Sequence, residues 1–161
     1  METYAERFDD LFSKVNQRNA FRQYLAGLLR PTARTKTRTA LANAEPIVGT
    51  QNAAVQALQW FLTESTGDAQ AVTQRRVDLL RAAPATAPDA AGALVLDETG
   101  DRTWGTKTAH VGRQERGSIG KVDRGVVTVG SLWADERVSY PLAVEPFTPK
   151  QHFTLGERDP A

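Results

Sequence analysis

Apolar residues near the start of the chain recur with helical spacing. Tyr4, Phe8, Leu11, Phe12 and Val15 fall at i, i+4, i+7, i+8 and i+11, one stripe of an amphipathic helix. Asn19 is placed to cap a second helix, in which Phe21, Tyr24, Leu25, Leu28 and Leu29 repeat the pattern until Pro31 stops it. Thr37 is placed to cap a short third helix containing Ala40, Leu41 and Ala44, ended by Pro46 and Gly49. Residues 51–63 carry Val55, Leu58, Phe61 and Leu62 on one side, and residues 69–82 form a weaker fifth helix with Val72, Leu79 and Leu80. Such stripes need mutual burial, which predicts a helical bundle over residues 1–82.

The period then changes. Residues 83–92 are rich in Ala and Pro, cannot continue a helix, and read as a linker. Ala93-Leu94-Val95-Leu96 reads as a short buried strand ending at Asp97, residues 125–132 as a second strand, and the alternation of Val138, Tyr140, Leu142 and Val144 as a third. Trp133-Ala134-Asp135-Glu136 fits a hairpin connection. Residues 98–124 hold Gly100, Gly105, Gly112, Gly117 and Gly120 and read as loop, with room for a small ribbon near residues 109–113. The expected class is α+β or α/β: a helical part followed by antiparallel strands. Three strands alone leave a sheet face without cover.

Composition narrows the chemistry. The 161 residues include no Cys, which excludes a disulfide framework, a thiol nucleophile and thiolate-held zinc or iron–sulfur. No apolar run reaches the ~18 residues of a membrane span, and the opening residues lack the pattern of a secretion signal. A cytoplasmic protein with no membrane partner is expected. The formal charge of +1 hides an imbalance. Residues 14–38 hold Lys14, Arg18, Arg22, Arg30, Arg34, Lys36 and Arg38 and no acid. Residues 102–124 hold six basic residues, Lys107, Arg113 and Lys121 among them, against Glu115 and Asp123. Clustered positive charge is the footprint of phosphate-backbone contact, and equally the composition of a solvated helical face.

The run Leu94-Val95-Leu96-Asp97-Glu98-Thr99-Gly100 resembles the first-strand motif of the DDE transposases of bacterial insertion sequences. The similarity continues through residues 105–114, Gly120-Lys121-Val122-Asp123, Gly125-Val126-Val127, residues 131–138 and Tyr140-Pro141-Leu142. Tyr24-Leu25-Ala26-Gly27-Leu28-Leu29 resembles the helix before that family's catalytic core. Departures fall at Thr103-Trp104, Glu115-Arg116 and Arg124. The resemblance implies a ribonuclease-H-like domain, here only its opening strands over residues 93–161, and phosphodiester cleavage and strand transfer at three carboxylates holding two Mg²⁺ or Mn²⁺ ions. Asp97 is the first of those acids, catalytic and metal-binding; no counterpart of the second or third is found. The resemblance implies double-stranded DNA as partner, contacted by the ten basic residues named above, and leaves self-association open.

A single carboxylate holds Mg²⁺ weakly, because affinity follows ligand count and rigidity. The expected function is therefore a truncated transposase, inactive alone. The alternatives are a non-catalytic DNA-binding module and an inert pseudogene product. Glu98 should point away from Asp97 on an extended backbone. Asp123 opens the second strand and could approach Asp97 if the strands pair, as an alternative to an ordinary turn Asp. His110 reads as a hydrogen-bonding loop residue, and His152 has no His partner at ligand spacing. Trp60 is expected in the helical core.

Overall fold

The computed structural model describes residues 1–31, 36–44, 51–103, 105, 108–116 and 121–153, without the side chains of residues 114–116 and 121. The chain divides into two compact units, Met1–Arg76 and Val77–Ala161. The helices are α1 (Glu2–Ala5), α2 (Val15–Leu29), α3 (Arg38–Leu41), α4 (Ala53–Thr63) and α5 (Ala69–Ala82), with a 3₁₀ segment at Glu6–Leu11. The strands are β1 (Ala93–Arg102), β2 (Gly112–Arg116), β3 (Lys121–Ala134) and β4 (Ser139–Pro146), and a short 3₁₀ turn covers Lys150–His152. The class is α+β, as the sequence predicts.

The first apolar stripe does not make one helix. α1 gives way to the 3₁₀ segment, and Phe12 turns extended at φ −122° and ψ 113°. That reversal lets Phe8 and Phe12 both meet Phe21 of α2, with ring centroids 5.2 and 5.0 Å apart, and brings Phe12 to 5.8 Å from Phe61 of α4. Tilted aromatic pairs at these spacings are favourable beyond the area they bury. α2 starts four residues before the expected cap: Lys14 is its N-cap and Asn19 lies inside it. Gln17 supplies the reason. Its side-chain oxygen accepts from the Lys14 backbone N–H at 3.1 Å, while its amide donates to Ser65 Oγ at 2.8 Å. The side chain is buried with its hydrogen bonds made, as burial of a polar group requires.

Thr37 and Asn52 cap α3 and α4 through side-chain oxygens that accept from Ala40 and Ala54 N–H at 3.3 and 2.8 Å. α3 closes at Leu41, before Asn43 adopts φ 56°, so Ala44 lies outside it. The expected stops, Pro46 and Gly49, lie outside the described residues. α2 and α3 cross closely at Gly27, where a Cβ would stand 2.6 Å from the Leu41 carbonyl oxygen. Leu58 and Val55 of α4 complete this core, whereas Trp60 is 42% exposed, contrary to expectation. Its position on α4 is two residues past the Leu58 face, where a 3.6 period turns side chains outward.

In the second unit every ladder among the described strands includes β3. β1 runs antiparallel along one side of it, from Ala93 opposite Ala134 to Arg102 opposite Gly125. β2 and β4 follow one another along the other side, opposite residues 121–125 and 128–134, with a bulge at Ser131/Leu132. Among the described residues there are four strands, not three; β2 begins within the ribbon expected near residues 109–113 and runs past it. β1 is also longer than the apolar run and exposed along most of its length, not buried. Backbone pairing needs no apolar side chain, so Asp97-Glu98-Thr99-Gly100-Asp101-Arg102 stays in the ladder. The buried apolar residues of this sheet are Val111, Val127 and Tyr140, while Leu94, Leu96 and Val129 on one face and Val144 on the other stay exposed.

Residues 83–92 are tied down within this unit. Thr86 Oγ1 donates to the Leu80 carbonyl at 2.6 Å, the Thr86 carbonyl accepts from Tyr140 Oη at 3.0 Å, and Arg137 donates to the Ala87 carbonyl at 2.8 Å.

Candidate functional site

Asp97 sits in the middle of β1, not at a strand end, because the ladder with β3 runs five residues past it. Its side chain is exposed. Oδ1 accepts from the Glu98 backbone N–H at 2.8 Å, and Oδ2 makes no hydrogen bond among the described residues. Opposite it on β3 is Gly130, and beyond Gly130 on β4 is Val144. Strand alternation puts Val95, Thr99 and Asp101 on the Asp97 face and turns Glu98 to the other, as expected.

Asp123 does not join Asp97. It lies seven positions along β3 from Gly130, roughly 23 Å at the rise of a strand, and its carboxylate pairs with Arg102 Nε at 3.1 Å. Asp135 closes the β3–β4 hairpin. It accepts from the backbone N–H of Arg137 and Val138 at 2.8 and 3.0 Å, from the Arg137 guanidinium at 3.0 Å and from Trp133 Nε1 at 3.2 Å. The guanidinium foremost, then the backbone donors, hold its carboxyl well below the usual carboxylate range. No group of three or more His, Asp or Glu among the described residues is placed to hold a metal ion. Asp97 offers what Mg²⁺ or Mn²⁺ prefers, a hard carboxylate oxygen at an exposed site with room for water, and it fits as one ligand of a set.

The basic residues divide by what their side chains already do. Arg22 of α2 reaches back to Asp9 through both terminal nitrogens, at 2.6 and 2.9 Å, and to Glu2 through Nε at 2.6 Å. That contact lowers the Asp9 pKa and raises that of Arg22. Arg18 Nε donates to the Phe12 carbonyl at 3.0 Å, fixing the reversal before α2. Lys36 Nζ donates to the carbonyls of Gly27, Leu28 and Arg30 at 3.2, 2.9 and 2.6 Å, and so caps the C-terminus of α2. Lys14, Arg30, Arg38 and Arg113 are exposed. Arg34 and Lys107 lie outside the described residues, as does the side chain of Lys121, whose backbone opens β3.

The sequence pattern did not single out Arg75, and marked Arg124 only as a departure from the family pattern within a basic stretch. Arg75 of α5 binds both oxygens of Asp10 at 2.9 and 2.7 Å and the Arg7 carbonyl, and lowers the Asp10 pKa. Arg124 lies directly opposite Arg113, and only the register reveals that pairing. His110, at φ 59°, places Nδ1 2.9 Å from Thr148 Oγ1, the loop hydrogen bond expected of it. His152 Nε2 and Gln151 Nε2 meet the Val111 carbonyl at 2.6 and 2.8 Å, tying the segment after β4 to the start of β2.

A cavity of ≈390 Å³ opens in the helical unit between Phe12, Phe21, Tyr24, Phe61 and Val72. Two of its polar groups are engaged elsewhere. Ser65 accepts from Gln17, and Asp68 caps α5 through the N–H groups of Gln70 and Ala71 at 2.8 and 3.0 Å.

Among curated proteins, the "Probable transposase for insertion sequence element IS701" of Microchaete diplosiphon is 31% identical over 158 residues. The aligned region covers 98% of this chain and 39% of that relative, so the chain spans about two fifths of the relative's length. No solved structure matches. The family profile described as "DDE superfamily endonuclease" matches residues 7–159, nearly the whole chain. This chain belongs to the DDE superfamily endonuclease family.

Proposed function

We propose that this chain supplies the DNA-contacting helices and the first catalytic acid of a DDE-type DNA transposase. In this reading Asp97 is the first metal ligand of a ribonuclease-H-like centre that cleaves and joins phosphodiesters in the cytoplasm. The observation that carries it is the setting of Asp97: a mid-strand carboxylate with one oxygen held by the Glu98 N–H and the other open, in the segment that carries the family resemblance. A bound Mg²⁺ or Mn²⁺ would supply Lewis-acid stabilisation of the charge that develops on the phosphate oxygens. The Glu98 N–H holds the Asp97 carboxylate in one orientation. The β1–β3 ladder fixes the backbone that carries it. Lys14, Arg30, Arg38 and Arg113, exposed and carrying positive charge, are the residues best placed to meet a phosphate backbone.

The same geometry supports inactivity of these 161 residues alone. Asp97 belongs to no group of three or more His, Asp or Glu placed to hold a metal among the described residues, and one carboxylate binds Mg²⁺ weakly. Incubation of supercoiled plasmid with the purified chain and Mg²⁺, beside Asp97→Asn, tests this directly. Both proteins should leave the plasmid intact. Efficient nicking that vanishes in Asp97→Asn would overturn the inactivity and keep the acid's role. In the same preparation, a gel shift with duplex DNA should show weak binding at about 50 mM salt that fades as salt rises. No shift at that salt removes the DNA-contact reading.

A further inference from the structure

Glycine inside a strand is costly, since it packs nothing and loses the most backbone freedom on folding. A glycine in the middle of a central strand therefore needs a reason, and the structure offers three kinds. At Gly125 the reason is packing: a Cβ there would lie 2.5 Å from the Asp101 carbonyl oxygen, closer than any side chain tolerates. At Gly92, which lies just before β1 and not within it, the reason is Trp133, whose ring would be 2.0 Å from the added carbon. Gly130 has neither excuse. A Cβ built on it meets a single atom within 4 Å, the Asp97 carbonyl oxygen at 3.8 Å, an ordinary contact, and its φ is outside the left-handed region. A Cβ at residue 130 would meet no strain, and a β-branched residue would suit β3 better.

What Gly130 does have is a neighbour. It is the register partner of Asp97, and directly opposed residues in an antiparallel pair hold their Cβ atoms only ~4.5–5.5 Å apart on the same face. A side chain at residue 130 would stand beside that of Asp97 and take up room on the face that carries its carboxylate. Mg²⁺ and Mn²⁺ keep several waters and are held through carboxylate and substrate phosphate together, so the ion arrives as a bulky hydrated body. We infer that Gly130 is an access residue: the missing side chain keeps the Asp97 face clear for a hydrated divalent cation and the phosphodiester it carries. This rests on the reading of Asp97 as a metal ligand. The residue touches no reacting atom and acts by leaving room.

The test uses the 161-residue chain, Mn²⁺ as probe, and nuclear magnetic resonance. In the unsubstituted protein, Mn²⁺ should selectively broaden the amide signals of Glu98 and residue 130. Asp97→Asn should abolish that selectivity. Gly130→Val should abolish most of it, and Gly130→Ala should fall between. Hydrogen exchange of the β1–β3 amides should be as slow in both Gly130 variants as in the parent, or slower, because the strand gains a better strand former. Broadening that depends on Asp97 but survives unchanged in Gly130→Val overturns the access role and leaves Asp97 standing. Faster exchange in both variants also overturns it, since glycine would then be serving the fold. No Asp97-dependent broadening in the parent overturns the reading of Asp97, and the inference with it.

Discussion

Gly27→Ala sets two well-measured tendencies against each other. In an exposed helix interior the change stabilises by about 1 kcal/mol, because alanine is the better helix former. Gly27 is buried on α2 where α3 crosses, and the new Cβ would lie 2.6 Å from the Leu41 carbonyl oxygen and 2.9 Å from its Cα. Favourable carbon contacts sit near 3.5–4.0 Å, so the two backbones must separate by roughly 1 Å. α3 has little freedom to move away. It is four residues long, capped by Thr37, and its Leu41 and Ala40 are buried in the core. Overpacking of this kind costs about 1–3 kcal/mol, which outweighs the helix gain and leaves a net loss of about 1 kcal/mol. For a unit the size of Met1–Arg76 that is a fall in Tm of about 5 °C. Urea unfolding followed by far-UV circular dichroism reads the change as a lower midpoint at unchanged slope. A variant more stable than its parent would show that α3 yields and that the close crossing imposes no limit.

Acid should loosen the β3–β4 hairpin in a way traceable to Asp135. Its folded-state pKa is depressed, chiefly by the Arg137 guanidinium. The stabilisation is therefore fully present above the unfolded value of about 4 and is lost as pH falls through the depressed one. Thermal melts across that range should show a shallower acid decline in Asp135→Asn; identical declines refute the assignment. Arg38→Ala and Arg113→Ala should each weaken duplex binding and reduce the salt slope by about 1 without altering the melt. Arg22→Ala should lower thermal stability first, because its guanidinium is held by Asp9 and Glu2; a variant that binds less DNA at unchanged Tm contradicts that division.

The helices were largely legible because their apolar residues carry the period themselves. α5 matches the expected residues 69–82, and the Thr37 cap is where the pattern puts it. The start of α2 was hidden because its signal is a buried Gln17 whose partner, Ser65, lies 48 residues away. Strand ends were hidden for a different reason. β1 keeps its pairing through residues 98–102, whose polarity reads as loop, since the ladder is made by backbone groups. Asp97 stood out through the motif around it. That Gly130 faces it, or that Arg22 and Lys36 are engaged within the helical unit, follows from register and from side-chain reach, neither of which local spacing encodes.

The role of β3 as common partner of β1, β2 and β4 has a kinetic corollary. None of the described ladders can close before β3 exists, so during synthesis β1 must wait, unpaired, while about thirty further residues are added. The aromatic cluster of the first unit needs nothing beyond Phe61 and can condense during that interval. The nascent sheet would instead spend its waiting time presenting Leu94, Val95 and Leu96 as a bare apolar ribbon, the kind of segment that chaperones capture and that drives inclusion-body formation during rapid overexpression.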